Sequence, residues 1–195
     1  MLDVVARART PAADVRLSAA DWETAALAAV ADHGLAAVAV EPLARRLGVT
    51  KGSFYWHFAD RDALLIAALR RWEHDYTERV VAEVAAVAEP AERLRRLIGT
   101  VVGGGRGDRI HLALASSDHP RVKEALARVT RRRLDYLAAC YAELGHPRKV
   151  ARERALVAYT AYVGLVHLRI EAPDALPTAA AFAAYVEELV ARLVS

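Results

Sequence analysis

The sequence is poor in residues that staple or interrupt a fold. One cysteine, Cys140, stands among 195 residues. That excludes an intramolecular disulfide and any cysteine-rich zinc site, and makes a reducing compartment the natural setting. Ten glycines and seven prolines are too few for a collagen-like or linker-like chain. No segment shows sustained alternation of apolar and polar side chains joined by turn dipeptides such as Asn-Gly, so a sheet has no signature. The longest nearly apolar run, 155–168 between Arg154 and Arg169, is shorter than the roughly 18 to 20 residues of a membrane span. Met1 to Pro11 carries Arg7 and Arg9 and no continuous apolar stretch, so it does not read as a signal peptide. A cytoplasmic protein with no membrane partner is expected. The seven histidines fall at no metal-ligand spacing. The glycine run 103–107 lacks the following Lys-Ser/Thr and the preceding strand of a phosphate-binding loop. No metal and no cofactor are expected.

What is present favours helix nearly everywhere. Apolar residues make up 55% of the chain and charged residues 26%, the composition of a globular protein. Ala, Leu, Arg and Glu dominate, and apolar residues recur at helical spacing from end to end. Ser18, with Asp21 three residues on, opens a first helix that Gly34 closes. A short helix follows over 40–47, then a tight turn at Gly48-Val49. Thr50 is the expected cap of a third helix running to about Phe58. Asp60 caps a long fourth helix ending before Pro90. Further helices are predicted over 91–102, 109–116, 120–144, 148–171 and 178–193, with the glycine run as a flexible connection. The fold class is all-α.

Residues 40–58 read VEPLARRLGVTKGSFYWHF. Two short helices joined by a glycine-containing turn are the signature of a helix-turn-helix. Leu43, Ala44, Leu47, Val49, Phe54 and Phe58 can form a small apolar core. What remains outside is Lys51, Ser53, Tyr55, Trp56 and His57. Two aromatic residues and a histidine on so short an exposed face suit a surface that docks into a DNA groove. Thr50 and the first-turn amides can meet a phosphate. Lys51 supplies charge and reach, Gly52 permits close approach, and Tyr55 and His57 can donate to phosphates or pack on sugars. Residues 1–57 balance to zero formal charge, so the local cluster of Arg45, Arg46, Lys51 and Arg61, opposed only by Glu41 and Asp60, must supply the electrostatics. The competing reading is an ordinary helical hairpin.

The segment LARRLGVTKGSFYWHFADRDALL resembles the N-terminal signature of the tetracycline-repressor (TetR) family of transcription regulators, continuously from about Ala19 to Ala67. The rest resembles that family only in length and helical pattern. The resemblance implies a homodimeric regulator in two parts. Residues 1–59 hold a tail and a three-helix DNA-binding domain that reads palindromic operator DNA. Residues 60–195 form a helical domain that binds a small-molecule effector and dimerises. It also implies a DNA-facing helix of Thr50, Lys51, Gly52, Ser53, Tyr55, Trp56 and His57, to which the local charge cluster adds Arg45 as a DNA-binding candidate. Two positions depart from the family pattern. Ala39 stands where a Thr or Ser usually caps the second helix. Arg61 is the nearest substitute for a phosphate-touching lysine at the start of the fourth.

The C-terminal part offers no catalytic constellation. Ser116-Ser117-Asp118-His119 are chain neighbours, which do not face one another as a triad must. Cys140 reads as a buried thiol rather than a nucleophile. Candidate pocket residues are Trp72, Tyr76, His111, Leu137, Cys140, Tyr141 and Tyr159, aromatic or polar side chains on otherwise apolar faces. The run 155–168 is apolar nearly all round, and such a helix must be covered on every side. Val157, Ala161, Gly164, Leu165 and Leu168, with Phe182, Tyr185, Val186, Leu189 and Leu193 of the last helix, are therefore the candidate dimer interface, the alternative being a helix buried deep inside a monomer. The function expected is a ligand-responsive DNA-binding repressor, not an enzyme, released from its operator by a largely apolar effector. A helical-bundle enzyme and a dimeric regulator without a ligand are the alternatives.

Overall fold

The computed structural model describes residues 17–102 and 104–194. Gly103 and the predicted N-terminal tail, 1–16, lie outside the described residues. Among the described residues ten α-helices follow one another: α1 Ala19–His33, α2 Val40–Leu47, α3 Lys51–Tyr55, α4 Arg61–Glu73, α5 Arg79–Ala85, α6 Pro90–Val102, α7 Arg106–Ala115, α8 Pro120–Glu143, α9 Arg148–Glu171 and α10 Ala179–Val194. No strand occurs among the described residues. The all-α expectation is met. Between α4 and α5 the backbone stays right-handed but widens into a π turn, His74–Glu78.

Local chemistry sets the boundaries. The Asp21 carboxylate accepts from both the N–H and the hydroxyl of Ser18, each at 2.7 Å, and these bonds hold its pKa below the usual carboxylate value. Asp60 caps α4 by accepting from the Ala63 N–H at 2.7 Å. Gly48 ends α2 in the left-handed region at φ 70°, and there the chain turns sharply into α3. Two boundaries differ from expectation. Helix α3 stops at Tyr55 rather than Phe58, and Trp56 and His57 form a turn closed by the His57 and Phe58 N–H groups on the Phe54 carbonyl. Thr50 occupies the cap position of α3, but its side chain makes no capping bond. Its hydroxyl is left facing outward.

The packing forms two clusters. One gathers the head and the middle of the molecule. Trp22 and Phe54 are fully buried and meet edge to face at 5.3 Å, with Phe58, Leu43, Ala44, Leu64 and Leu65 around them. The cluster runs on through Trp72 to Ile110, Leu114, Val122 and Val129 of α7 and α8. The second cluster lies in the C-terminal body around Leu94, Ile98, Tyr141, Ala155 and Leu165. The Tyr141 hydroxyl donates to the Leu193 carbonyl at 2.7 Å and pins the end of α10. The predicted flexible connection is a packed crossing instead. A Cβ on Gly107 would stand 2.5 Å from the Tyr76 ring, so only glycine lets α7 pass this close. The Arg169 guanidinium donates to the Val102 carbonyl just before the run.

The burial pattern separates folding from surface in adjacent residues. Replacing Phe54, wholly inside, with Ala should destabilise the protein by about 3–5 kcal/mol. Replacing its exposed neighbour Tyr55 with Ala should stay within about 0.5 kcal/mol. Urea unfolding followed by circular dichroism checks both, and equal losses would contradict the packing.

Candidate nucleic-acid interface and effector cleft

Helix α3 has one buried side and one bare side. Phe54 points into the head core, and Phe58 follows it inward at 5.7 Å between rings. On the other side Lys51, Tyr55, Trp56 and His57 are exposed, with the Trp56 indole 88% accessible. Gly52 is exposed and Ser53 half-buried. The turn at Gly48 brings α2 alongside, where Arg45 is exposed, near Glu41, and makes no ion pair among the described residues. The predicted DNA-facing residues thus share one surface.

The charges on that surface are not all free. Lys51 donates to the Glu41 carboxylate at 3.0 Å, which raises the lysine pKa and lowers that of the acid. Arg46 pairs with Asp32 of α1 at 3.5 Å. Arg61 is committed elsewhere: it donates to the Val38 carbonyl at 2.6 Å and the Leu35 carbonyl at 3.3 Å. These carbonyls belong to the turn that connects α1 to the uncapped α2, so Arg61 holds that turn rather than presenting a cation. Phosphate would have to compete with Glu41 for Lys51.

A cleft opens in the C-terminal body among the π turn, α5, α6, α8, α9 and α10. Its free space, mouth included, is about 630 Å³. Val80, Val81, Leu97, Ile98, Val101 and Leu189 give it apolar walls. Of the predicted pocket residues, Tyr76, Leu137 and Tyr159 line it. Trp72 does not. It is fully buried in the head-side cluster, where its indole N–H has no hydrogen-bond partner. Cys140 and Tyr141 are also absent from the lining, being packed inside the C-terminal cluster. Burial raises the Cys140 thiol pKa and pushes the Tyr141 phenol to about 12. Thr77 and Tyr162, which no sequence pattern marks, also line the cleft, and so does Arg133, for which an effector-binding role is the less favoured of the sequence readings. Arg133 sits in an Arg131-Arg132-Arg133 run that by itself reads as a solvated face.

Between cleft and head lies a compact polar seam. Arg133 Nε donates to the Thr77 hydroxyl at 3.0 Å and Nη2 to the Tyr76 carbonyl at 2.9 Å. Its guanidinium lies over the rings of Trp72 and Tyr162, 5.9 and 5.8 Å from their centroids. The Tyr162 hydroxyl donates to Asp108 at 3.3 Å, and Arg169 Nη1 donates to the same carboxylate at 2.7 Å. Burial still leaves the Asp108 pKa raised and drives that of Tyr162 to about 12. His111 stacks on Trp72 at 6.2 Å, its Nδ1 unpartnered, and does not line the cleft. Among the described residues no three His, Cys, Asp or Glu side chains group to hold a metal.

The candidate dimer surface is partly bare. Val157 is 58% and Leu168 38% exposed on α9, with Gly164 open beside them, and Tyr185 is 38% exposed on α10. Leu156, outside the predicted set, joins them at 53%. Leu165 is a correction. It belongs to the inward stripe Ala151, Ala155, Ala158 and Tyr159 and is buried in its own chain, because one residue past Gly164 the helix has turned about 100°. Phe182 and Val186 are half-buried against the C-terminal cluster, and Ala161, Leu189 and Leu193 line the cleft.

His111 makes acid stability testable. Its buried imidazole has a pKa lowered from 6.5 to about 4, chiefly by desolvation and further by Arg133. The folded value is below the unfolded one, so the unfolded chain binds the extra proton. The stability tied to neutral His111 is therefore complete above the unfolded pKa and is lost as pH falls from 6.5 towards 4. Between pH 7 and pH 5 this amounts to about 2 kcal/mol. A His111→Leu variant should flatten that part of the profile, read as urea midpoints at the two pH values. Equal acid losses in both proteins would refute the assignment.

The head, with residues 24–68, matches the family model described as "Bacterial regulatory proteins, tetR family". The HTH-type transcriptional regulator BetI of Cronobacter sakazakii is 30% identical over 136 residues, which cover 66% of this chain and 67% of that protein. A transcriptional regulator from Rhodococcus superposes with a TM-score of 0.74 at 23% identity, covering 91% of this chain and 94% of its own. FadR from Bacillus subtilis, in complex with stearoyl-CoA, superposes at 0.67 and 17%, covering 91% and 98%. The two structures share the order of head and body, and among the described residues no helix is long and apolar enough to cross a membrane. With its head matched to the family model and two thirds of a curated regulator aligned, the chain belongs to the TetR family of bacterial regulatory proteins.

Proposed function

We propose that this protein is a homodimeric repressor that binds palindromic operator DNA through α3 and leaves it when a small, largely apolar effector enters the C-terminal cleft. The single observation behind the DNA-binding surface is the exposed quartet Lys51, Tyr55, Trp56 and His57 beside a wholly buried Phe54. A short helix keeps so much aromatic area in water only where another surface covers it in use. Residues 1–59 act as the DNA-binding part and 60–195 as the effector and dimer part, although the apolar packing runs across that boundary.

The cleft supports the effector half of the reading. Its apolar walls reward burial of apolar area. FadR, a fold relative, holds stearoyl-CoA. Helix α4 begins at the head and passes through the π turn into α5, where Tyr76, Thr77, Val80 and Val81 form one wall of the cleft. An occupant that prefers one setting of this helix would alter the separation of the two α3 helices in a dimer. Recognition helices must match grooves about 34 Å apart, so a small rotation abolishes the fit. The bare stripe on α9, Leu156, Val157, Gly164 and Leu168, with Tyr185 of α10, supports a two-fold interface covering it.

Operator affinity at two salt concentrations tests the DNA face. Lys51→Ala should weaken binding and, where the contact is to phosphate, reduce the salt slope by about one. Tyr55→Phe should cost about 1.5–3 kcal/mol of binding with an unchanged melting temperature. Wild-type binding by both variants would refute this face. For the interface, Gly164→Arg should give monomers by light scattering and abolish operator binding, and a wild-type chain monomeric at micromolar concentration would refute the dimer.

A further inference from the structure

The cleft is apolar except at one place. Arg133 stands in its wall, and among the described residues no carboxylate lies within ion-pair range of its guanidinium. The other α8 arginines on this side are neutralised: Arg128 by Glu73 and Arg132 by Glu78, each at 3.1 Å. Asp108, the buried acid of the seam, is taken by Arg169. Arg133 is surrounded by neutral groups: the Thr77 hydroxyl, the Tyr76 carbonyl, the Trp72 ring, the Tyr162 ring and phenol, and the buried His111 imidazole. An arginine in an apolar wall with no counter-ion favours an anion, which it can pair with by charge-assisted hydrogen bonds. Nε and Nη2 are engaged on Thr77 and Tyr76, the Tyr162 phenol is a further neutral partner, and among the described residues no carboxylate meets the remaining end of the fork. That end can receive an oxyanion as a charge-assisted pair.

We infer that the ligand of this cleft is an amphipathic anion, its carboxylate or phosphate head paired with Arg133 and its apolar body against Val80, Val81, Ile98, Val101 and Leu189. This rests on the cleft being the effector site and adds the ligand's chemical class. A cationic head would meet an uncompensated guanidinium, and a neutral molecule would leave that charge unpaired. The head would also compete with the Tyr76 carbonyl and the Thr77 hydroxyl for Arg133. Those two groups belong to the π turn between α4 and α5, so the binding event acts on the helix that carries the head.

Calorimetric titration of the full-length protein with octanoate, octyl phosphate and 1-octanol tests the inference. At least one anion should bind tenfold or more tightly than the alcohol, and which one leads identifies the head. Arg133→Leu should remove the anion's advantage while leaving the alcohol within about twofold. The comparison among the three probes on the wild-type protein stands even if that variant folds poorly. Octanol binding as tightly as both anions, or an anion advantage that survives Arg133→Leu in a folded protein, overturns the anionic head and leaves the cleft reading intact. Val80→Trp, which fills the cleft, should abolish binding of every probe. Binding that persists in Val80→Trp, or no binding of any probe to the wild type at millimolar concentration, overturns the cleft reading itself.

Discussion

Arg133 reaches from α8 to the widened turn of the α4–α5 helix and bonds the Tyr76 carbonyl and the Thr77 hydroxyl. A π turn breaks the regular i to i−4 pairing and leaves backbone groups needing partners. In a buried setting such a group must be satisfied or it destabilises the fold. Thr77 is 2% exposed, so water is not available to it. The guanidinium therefore serves the same helix that links the head to the cleft. The ring faces of Trp72 and Tyr162 hold it in place, and the Asp108–Arg169 pair anchors Tyr162 from the far side. Four helices, α4, α7, α8 and α9, meet at this seam. The absence of a side chain at Gly107 lets α7 approach Tyr76 closely enough to complete it.

The head obeys a different constraint. It must hold a five-residue helix in place while leaving most of its surface bare. Two phenylalanines do the holding. Phe54 packs against Trp22, and Phe58 follows as the chain turns towards Asp60. Arg61 secures the preceding turn through its carbonyls, so a cation near α3 is used for folding. Lys51 is different: its partner Glu41 is exposed, and an exchange of carboxylate for phosphate involves groups already in contact with water. The head is thus rigid where it is apolar and adaptable where it is charged.

Head and body share a continuous apolar packing along α4. Leu64, Leu65, Ala68 and Trp72 bury one side of that helix with α1 and then with α7 and α8. Further along, Val80 and Val81 turn to the cleft. The packing is continuous from the head to the wall of the cleft.

The helices themselves were legible in the sequence. Ser18, Gly34, Gly48 and Asp60 mark boundaries by local chemistry, and the spacing of apolar residues in 40–58 separates Phe54 and Phe58 from Tyr55 and Trp56 without knowledge of any other segment. These are short-range effects, decided by residues within a turn of one another. The candidate cleft was less legible. Trp72, His111, Cys140 and Tyr141 have the aromatic or polar character of pocket residues, yet neighbouring helices cover them and they do not line it. Arg133 reads as one of three solvated arginines until α4 is laid beside α8 and its partners 56 and 57 residues away come within reach. Helical periodicity states which side of a helix is apolar. Which helix covers that side, and which distant carbonyl or carboxylate a cation meets, depends on long-range packing that only the folded chain decides.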